Sequence, residues 1–214
     1  MRADVLLAQE KYEVALSYIE RILDVYPFYV EAWNWSSEAH CGLMQYDKAV
    51  ESCDYALAVE PQDERAMQLK AWALMQQGNS EEAHVLYQQL QRINPTFELN
   101  YLYDSFCLYD QGNLTDALQQ VEKADELSEG MSTEQQGIWE HHAHILSELH
   151  NIDHALQLLD QAEEQFGQSG EQIDYNFMRA RVYAENDKPE QAVEYMDQCV
   201  RKYPFDLPFI FYQG

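Results

Sequence analysis

The residues with the most chemistry to offer form a histidine run. His141, His142 and His144 are followed by His150 and His154, with Glu140 and Glu148 close by. His141 and His144 would share one face of a helix, and imidazole with carboxylate suits a divalent transition metal. The spacing argues against that use. No His-Glu-x-x-His stands in the chain, the arrangement in which two imidazoles one helical turn apart grip zinc. His150 and His154 fall where a turn passes into the next helix. The run reads as packing and surface histidines with a modest pH response; no metal and no cofactor is expected. Phosphate-cradling and nucleophile motifs (GxGxxG, GxxxxGK[ST], GxSxG) are missing as well. With 38 acidic residues, carboxylate pairs occur everywhere, so their spacing says nothing about acid–base work. Nothing here predicts an enzyme.

Charge narrows the partners. Thirteen basic residues against 38 acidic ones give a net charge of −25. Such a chain repels phosphate backbones, so nucleic acid is not an expected partner. Anionic membrane surfaces are disfavoured for the same reason. The field favours basic partner segments, and it also keeps a long exposed surface soluble. Cys41, Cys53, Cys107 and Cys199 show no CxxC pairing and sit in helical patterns. They read as small buried hydrophobes of a reducing compartment, which points to the cytoplasm. No apolar stretch reaches the 18 or so residues of a membrane-spanning helix.

The elements that position these side chains follow from a period. Ala15, Ala49, Ala83 and Ala117 are 34 residues apart, and each opens a similar phrase, such as YEVALSYIE or YDKAVESCD. A fixed period of this length predicts stacked helix–turn–helix pairs, each too small to bury its apolar stripe alone. Pro27, Pro61 and Pro95 come twelve residues after three of these alanines and close the second helix of each pair. The phrase returns at Ala155 and Ala192, with spacings of 38 and 37. The added residues fall in the polar, Gly- and Ser-rich stretches 128–137 and 167–172, read as lengthened loops.

The combined pattern resembles the tetratricopeptide repeat (TPR) family over essentially the whole chain. Trp33, Met67, Tyr101, Trp139 and Asn176 stand sixteen residues before the key alanines, where that family favours Trp. Ala3, Ser37, Ala71, Ser105, Ala143 and Ala180 stand at its small position, Tyr12 and Tyr46 at its aromatic position, and Gly78 and Gly112 at its turn glycine. One departure stands out. Where the family prefers Leu, thirteen residues before the alanine, stand Ser36, Lys70, Asp104, His142 and Arg179. Slightly rotated first helices are therefore expected.

The resemblance implies an all-α fold: a TPR-type α-solenoid of about six helix pairs in a right-handed superhelix. It would form a single domain over 1–214, with units near 1–29, 30–63, 64–97, 98–135, 136–172 and 173–206. Residues 207–214 fit the start of a further repeat, and the first unit lacks most of its first helix, so the chain reads as part of a longer protein. First helices in this family line a concave groove. Carried over one position at a time, the groove residues are Asn34, Glu38, Trp72, Leu102, Phe106, Tyr109, Glu140, His144, Phe177 and Arg181. Trp72, Leu102, Phe106, Tyr109 and Phe177 would anchor apolar side chains of a peptide or helix. Glu38 and Glu140 would favour basic flanks, and Asn34 would hold partner backbone. Gripping a C-terminal carboxylate, as some relatives do, needs cationic donors that this stretch lacks. The expected function is a non-catalytic interaction module, a scaffold or adaptor. The alternatives are a substrate-recruiting arm of a larger enzyme or sensor, and an acidic chaperone for an assembling client. The apolar tail around Phe205, Phe209, Ile210, Phe211 and Tyr212 suggests self-association.

Overall fold

The computed structural model describes residues 3–128, 133–166 and 175–202. Among them are twelve helices and no strand. They are α1 (Ala3–Ala8), α2 (Tyr12–Leu23), α3 (Val30–Gly42), α4 (Tyr46–Val59), α5 (Glu64–Gln76) and α6 (Ser80–Ile93). After these come α7 (Glu98–Asp110), α8 (Leu114–Leu127), α9 (Thr133–Glu148), α10 (Ile152–Phe166), α11 (Tyr175–Glu185) and α12 (Pro189–Lys202). The chain divides into two compact units, Met1–Gly112 with α1–α7 and Asn113–Gly214 with α8–α12. None of the described helices is long and apolar enough to cross a membrane. The apolar tail from Phe205 lies outside the described residues.

The periodic alanines are what let the helices touch. Ala15, Ala49, Ala83, Ala117 and Ala155 are fully buried, while Ala192 is half-buried. The small residues twelve positions earlier, from Ala3 to Ala180, are all buried too. Side chains of this size allow the axes of packed helices to approach closely. Larger residues fill the space between: Met67, Leu74, Tyr87 and Leu90 in the first unit, and Val121, Ile138, Ile145 and Leu159 in the second. The four cysteines are buried. Burial pushes the Cys41 thiol up to about 11 and those of Cys53 and Cys107 to about 12, so they are unreactive.

Each helix pair turns on one left-handed residue, five positions before its key alanine. Glu10, Met44, Gly78, Gly112, His150 and Asp187 all have φ between 56° and 78°. The following amide closes the turn: Gln45 N–H donates to the His40 carbonyl at 2.8 Å and Asn79 N–H to the Leu74 carbonyl at 2.9 Å. This hydrogen bond satisfies a carbonyl that the helix end would otherwise leave open. A Cβ added to Gly78 would meet nothing within 4 Å, so Gly78→Ala isolates the conformational cost. We expect it to lower stability by about 1 kcal/mol in denaturant titration, and Met44→Gly to raise it by a similar or smaller amount.

Of the polar residues at the position where Leu is usual, Ser36, Lys70, Asp104 and Arg179 are each met by a hydrogen-bond partner on a neighbouring second helix, whereas the buried His142 Nδ1 makes no hydrogen bond among the described residues. The hydroxyls of Ser36 and Ser52 lie 3.0 Å apart, and Lys70 Nζ is 2.5 Å from Asp54. Asp104 accepts from Gln91 at 2.9 Å and lies 2.5 Å from His84 Nδ1. In the second unit Arg179 reaches Asp160 at 2.6 Å and Glu163 at 2.7 Å, and His142 lies 4.0 Å from Asp125. Burying such groups is tolerable only when they are paired. These hydrogen bonds and ion pairs account for Ser36, Lys70, Asp104 and Arg179 where they stand.

Candidate protein-interaction site

Within the first unit, α5 presents Arg65, Gln68, Leu69 and Trp72 at spacings that put them on one helical face. Against that face lie Leu99, Asn100 and Tyr103 of α7, with Phe97 just before the helix and Tyr87 of α6 behind. Together they enclose a recess of about 300 Å³. Its walls are mostly aromatic and aliphatic, and they are held by packing. Trp72 meets Tyr46 edge-on at 5.8 Å, while Tyr103 stacks on Tyr87 at 5.8 Å and tilts against Phe106 at 6.5 Å. Rings fixed in this way keep an apolar site open without collapse.

Two polar features sit at the edges of this surface. Asn100 is 1 % exposed; its Oδ1 accepts from Gln68 Nε2 at 3.4 Å, and its Nδ2 makes no hydrogen bond among the described residues. At the mouth, Arg65 Nη1 donates to Glu31 at 2.8 Å and Nη2 to Glu38, both on α3. Asn34, fully buried on α3, donates to Asp63 Oδ1 at 2.8 Å. That carboxylate also caps α5 by accepting from the Ala66 amide at 2.7 Å.

Three tetratricopeptide repeat profiles match the sequence, over residues 1–58, 42–103 and 174–206, together more than half of the chain. The chain belongs to the tetratricopeptide repeat family. No curated protein matches the sequence. Solved structures share the TPR fold along the chain. PilW, a widely conserved type IV pilus biogenesis factor, is 18 % identical with a TM-score of 0.83, covering 99 % of this chain and 95 % of PilW. PilF of Pseudomonas aeruginosa is 20 % identical with a TM-score of 0.77, covering 99 % and 93 %. YrrB, a TPR protein with an unusual peptide-binding site, is 15 % identical with a TM-score of 0.69, covering 91 % and 97 %. At these identities the likeness is one of fold.

Of the groove positions carried over from the TPR pattern, Trp72 lines the recess, as does Gln68 at the groove position one turn before it. Glu38 stands at its mouth through Arg65. Asn34 and Leu102 are buried, the latter 6 % exposed, and present no surface. Phe106 and Tyr109 are half-buried on α7. In the second unit Phe177 packs on the core formed by Ala180, Met196 and Cys199. Glu140 is half-buried, and burial raises its carboxyl above the usual range. Leu69, Leu99, Asn100 and Tyr103 were not anticipated, although Leu69 and Tyr103 occupy the same repeat position. The Glu31–Arg65 pair carries its own signal: opposite charges exactly one 34-residue period apart, hence side by side on adjacent first helices.

The histidine run does not gather into one site. His141 and His142 are buried, whereas His150 and His154 are exposed. Among the described residues His144, Glu148 and Glu185 bring ligand atoms within 4.8 Å of one another. Arg181 already supplies the positive charge there, 3.1 Å from Glu185 and 3.4 Å from His144 Nδ1. Ser147 donates to the other Glu185 oxygen at 2.6 Å. A metal would have to displace both.

Proposed function

We propose that the chain is a non-catalytic interaction module that holds a peptide or helix of a partner protein on the first-helix face of its first unit. The observation that carries this reading is the recess between α5 and α7. It is an apolar hollow with fixed aromatic walls and a charged mouth, the usual anatomy of a side-chain anchor site. Membership of the TPR family supports it, since repeat stacks work by presenting extended binding surfaces.

The test is affinity capture from the native host lysate with the wild-type chain and with Leu69→Asp as paired baits. Leu69 is half-buried and lines the recess, so the new carboxylate stands in the site without entering the core. The partner's affinity should fall at least about tenfold. Equal retention by both baits would remove the recess from the binding surface. The full-length likeness to PilW and PilF supports a second reading, in which the partner is a component of an assembling pilus. A single, otherwise insoluble client in the capture favours that assembly role; several stable partners favour a scaffold.

A further inference from the structure

We propose that Arg65 is an internal stand-in for a basic residue of the partner. The bound segment is extended: a large apolar side chain enters the α5–α7 recess, and a lysine or arginine nearby takes the place of Arg65 between Glu31 and Glu38. This rests on the peptide-binding reading above and names the partner's chemistry.

Arg65 does two things at once. Its side chain lines the recess, and its guanidinium bridges two carboxylates on the neighbouring first helix. All three side chains are 39–44 % exposed, so the bridge stands at the water-facing rim. Exposed pairs of this kind are weak and exchange readily with a competing cation. Two carboxylates and one guanidinium leave the bridge with a formal charge of −1, in a chain that carries −25. An incoming cation is therefore drawn to it even while Arg65 is in place. An occupant of the recess presses on the side chain that holds the bridge. As Arg65 swings into solvent, the partner's cation compensates Glu31 and Glu38.

The dimensions restrict the segment. A recess of about 300 Å³ takes one large side chain, not the face of a helix. Packed helices lie roughly 8–10 Å apart and an extended chain advances about 3.3 Å per residue. The anchor and the basic residue should therefore stand roughly three residues apart.

The experiment is selection of randomised displayed peptides against the whole chain, followed by titration of the selected peptides in solution. The expected sequences share a large apolar residue with Lys or Arg roughly three positions away. Glu31→Gln with Glu38→Gln should weaken them about tenfold. Arg65→Ala should tighten them about threefold, because the internal competitor is gone, whereas a residue that merely supports the fold would never do so. The substituted groups are at the rim, and unchanged thermal unfolding checks that the variants remain folded. Unchanged or weaker binding to Arg65→Ala overturns the proposal, as does a selected set with no basic residue. Selected peptides indifferent to all three substitutions overturn it while leaving peptide binding intact. Failure to select any peptide brings down both.

Discussion

Replacing Tyr87 by alanine should remove about 3–5 kcal/mol from the stability of the first unit. Tyr87 is 1 % exposed and is among the largest sealed side chains of the chain. It packs among Met67, Ala71, Leu74, Ala83, Leu90 and Cys107, and its ring stacks on Tyr103. Truncation loses the transfer free energy of the ring and leaves a hole bounded by α5, α6 and α7. In a repeat stack, stability is close to a sum of local terms and nearest-neighbour interfaces. The damage should therefore be local. Hydrogen exchange ought to accelerate across α5–α7, while α10–α12 keep the protection they have in the wild type. Denaturant unfolding gives the magnitude, and a loss below about 1 kcal/mol would show that the recess can collapse onto the vacancy.

Much of this architecture was legible because contact distance forces residue type. Where two helices touch, only a small side chain fits, so Ala49, Ala83 and Ala71 announce themselves at any reading. The turns were half legible. Gly78 and Gly112 mark the left-handed position, but Met44 and His150 adopt the same conformation without glycine. Their turns are closed by hydrogen bonds to carbonyls five residues back, which a local reading of sequence does not reveal. The site was harder. Periodicity says that α7 has an inward and an outward face, yet not which neighbour each face meets. Leu102 points into the core, while Leu99, Asn100 and Tyr103 face the recess beside Trp72. The pairing of the polar residues in the usual Leu position was hidden for the same reason. Their partners lie 13 to 20 residues away, on a different helix.

The sharpest case of that pairing is His84 with Asp104. The Asp104 side chain is completely sealed, and it is met by the His84 ring at 2.5 Å and by Gln91 at 2.9 Å. Burial raises its carboxyl above the usual range, and His84 and Gln91 pull it back. His84→Ala leaves a buried carboxylate facing one neutral amide, so at pH 7 the variant should lose about 3–5 kcal/mol. With the imidazole gone, the Asp104 carboxyl rises further. A folded-state pKa above the unfolded one means that protonation favours the folded chain. That contribution is complete below the unfolded carboxyl value and is lost as pH rises through the folded value. The deficit of His84→Ala against wild type should therefore be large at pH 7 and shrink towards pH 4.5. Adding Asp104→Leu, which installs the side chain usual in this family, removes the stranded charge; the double variant should regain most of the loss and show no such pH trend. Unfolding titrations at the two pH values decide it. A deficit of the same size at both would mean that His84 contributes packing and hydrogen bonding, and that Asp104 is not held ionised at its expense.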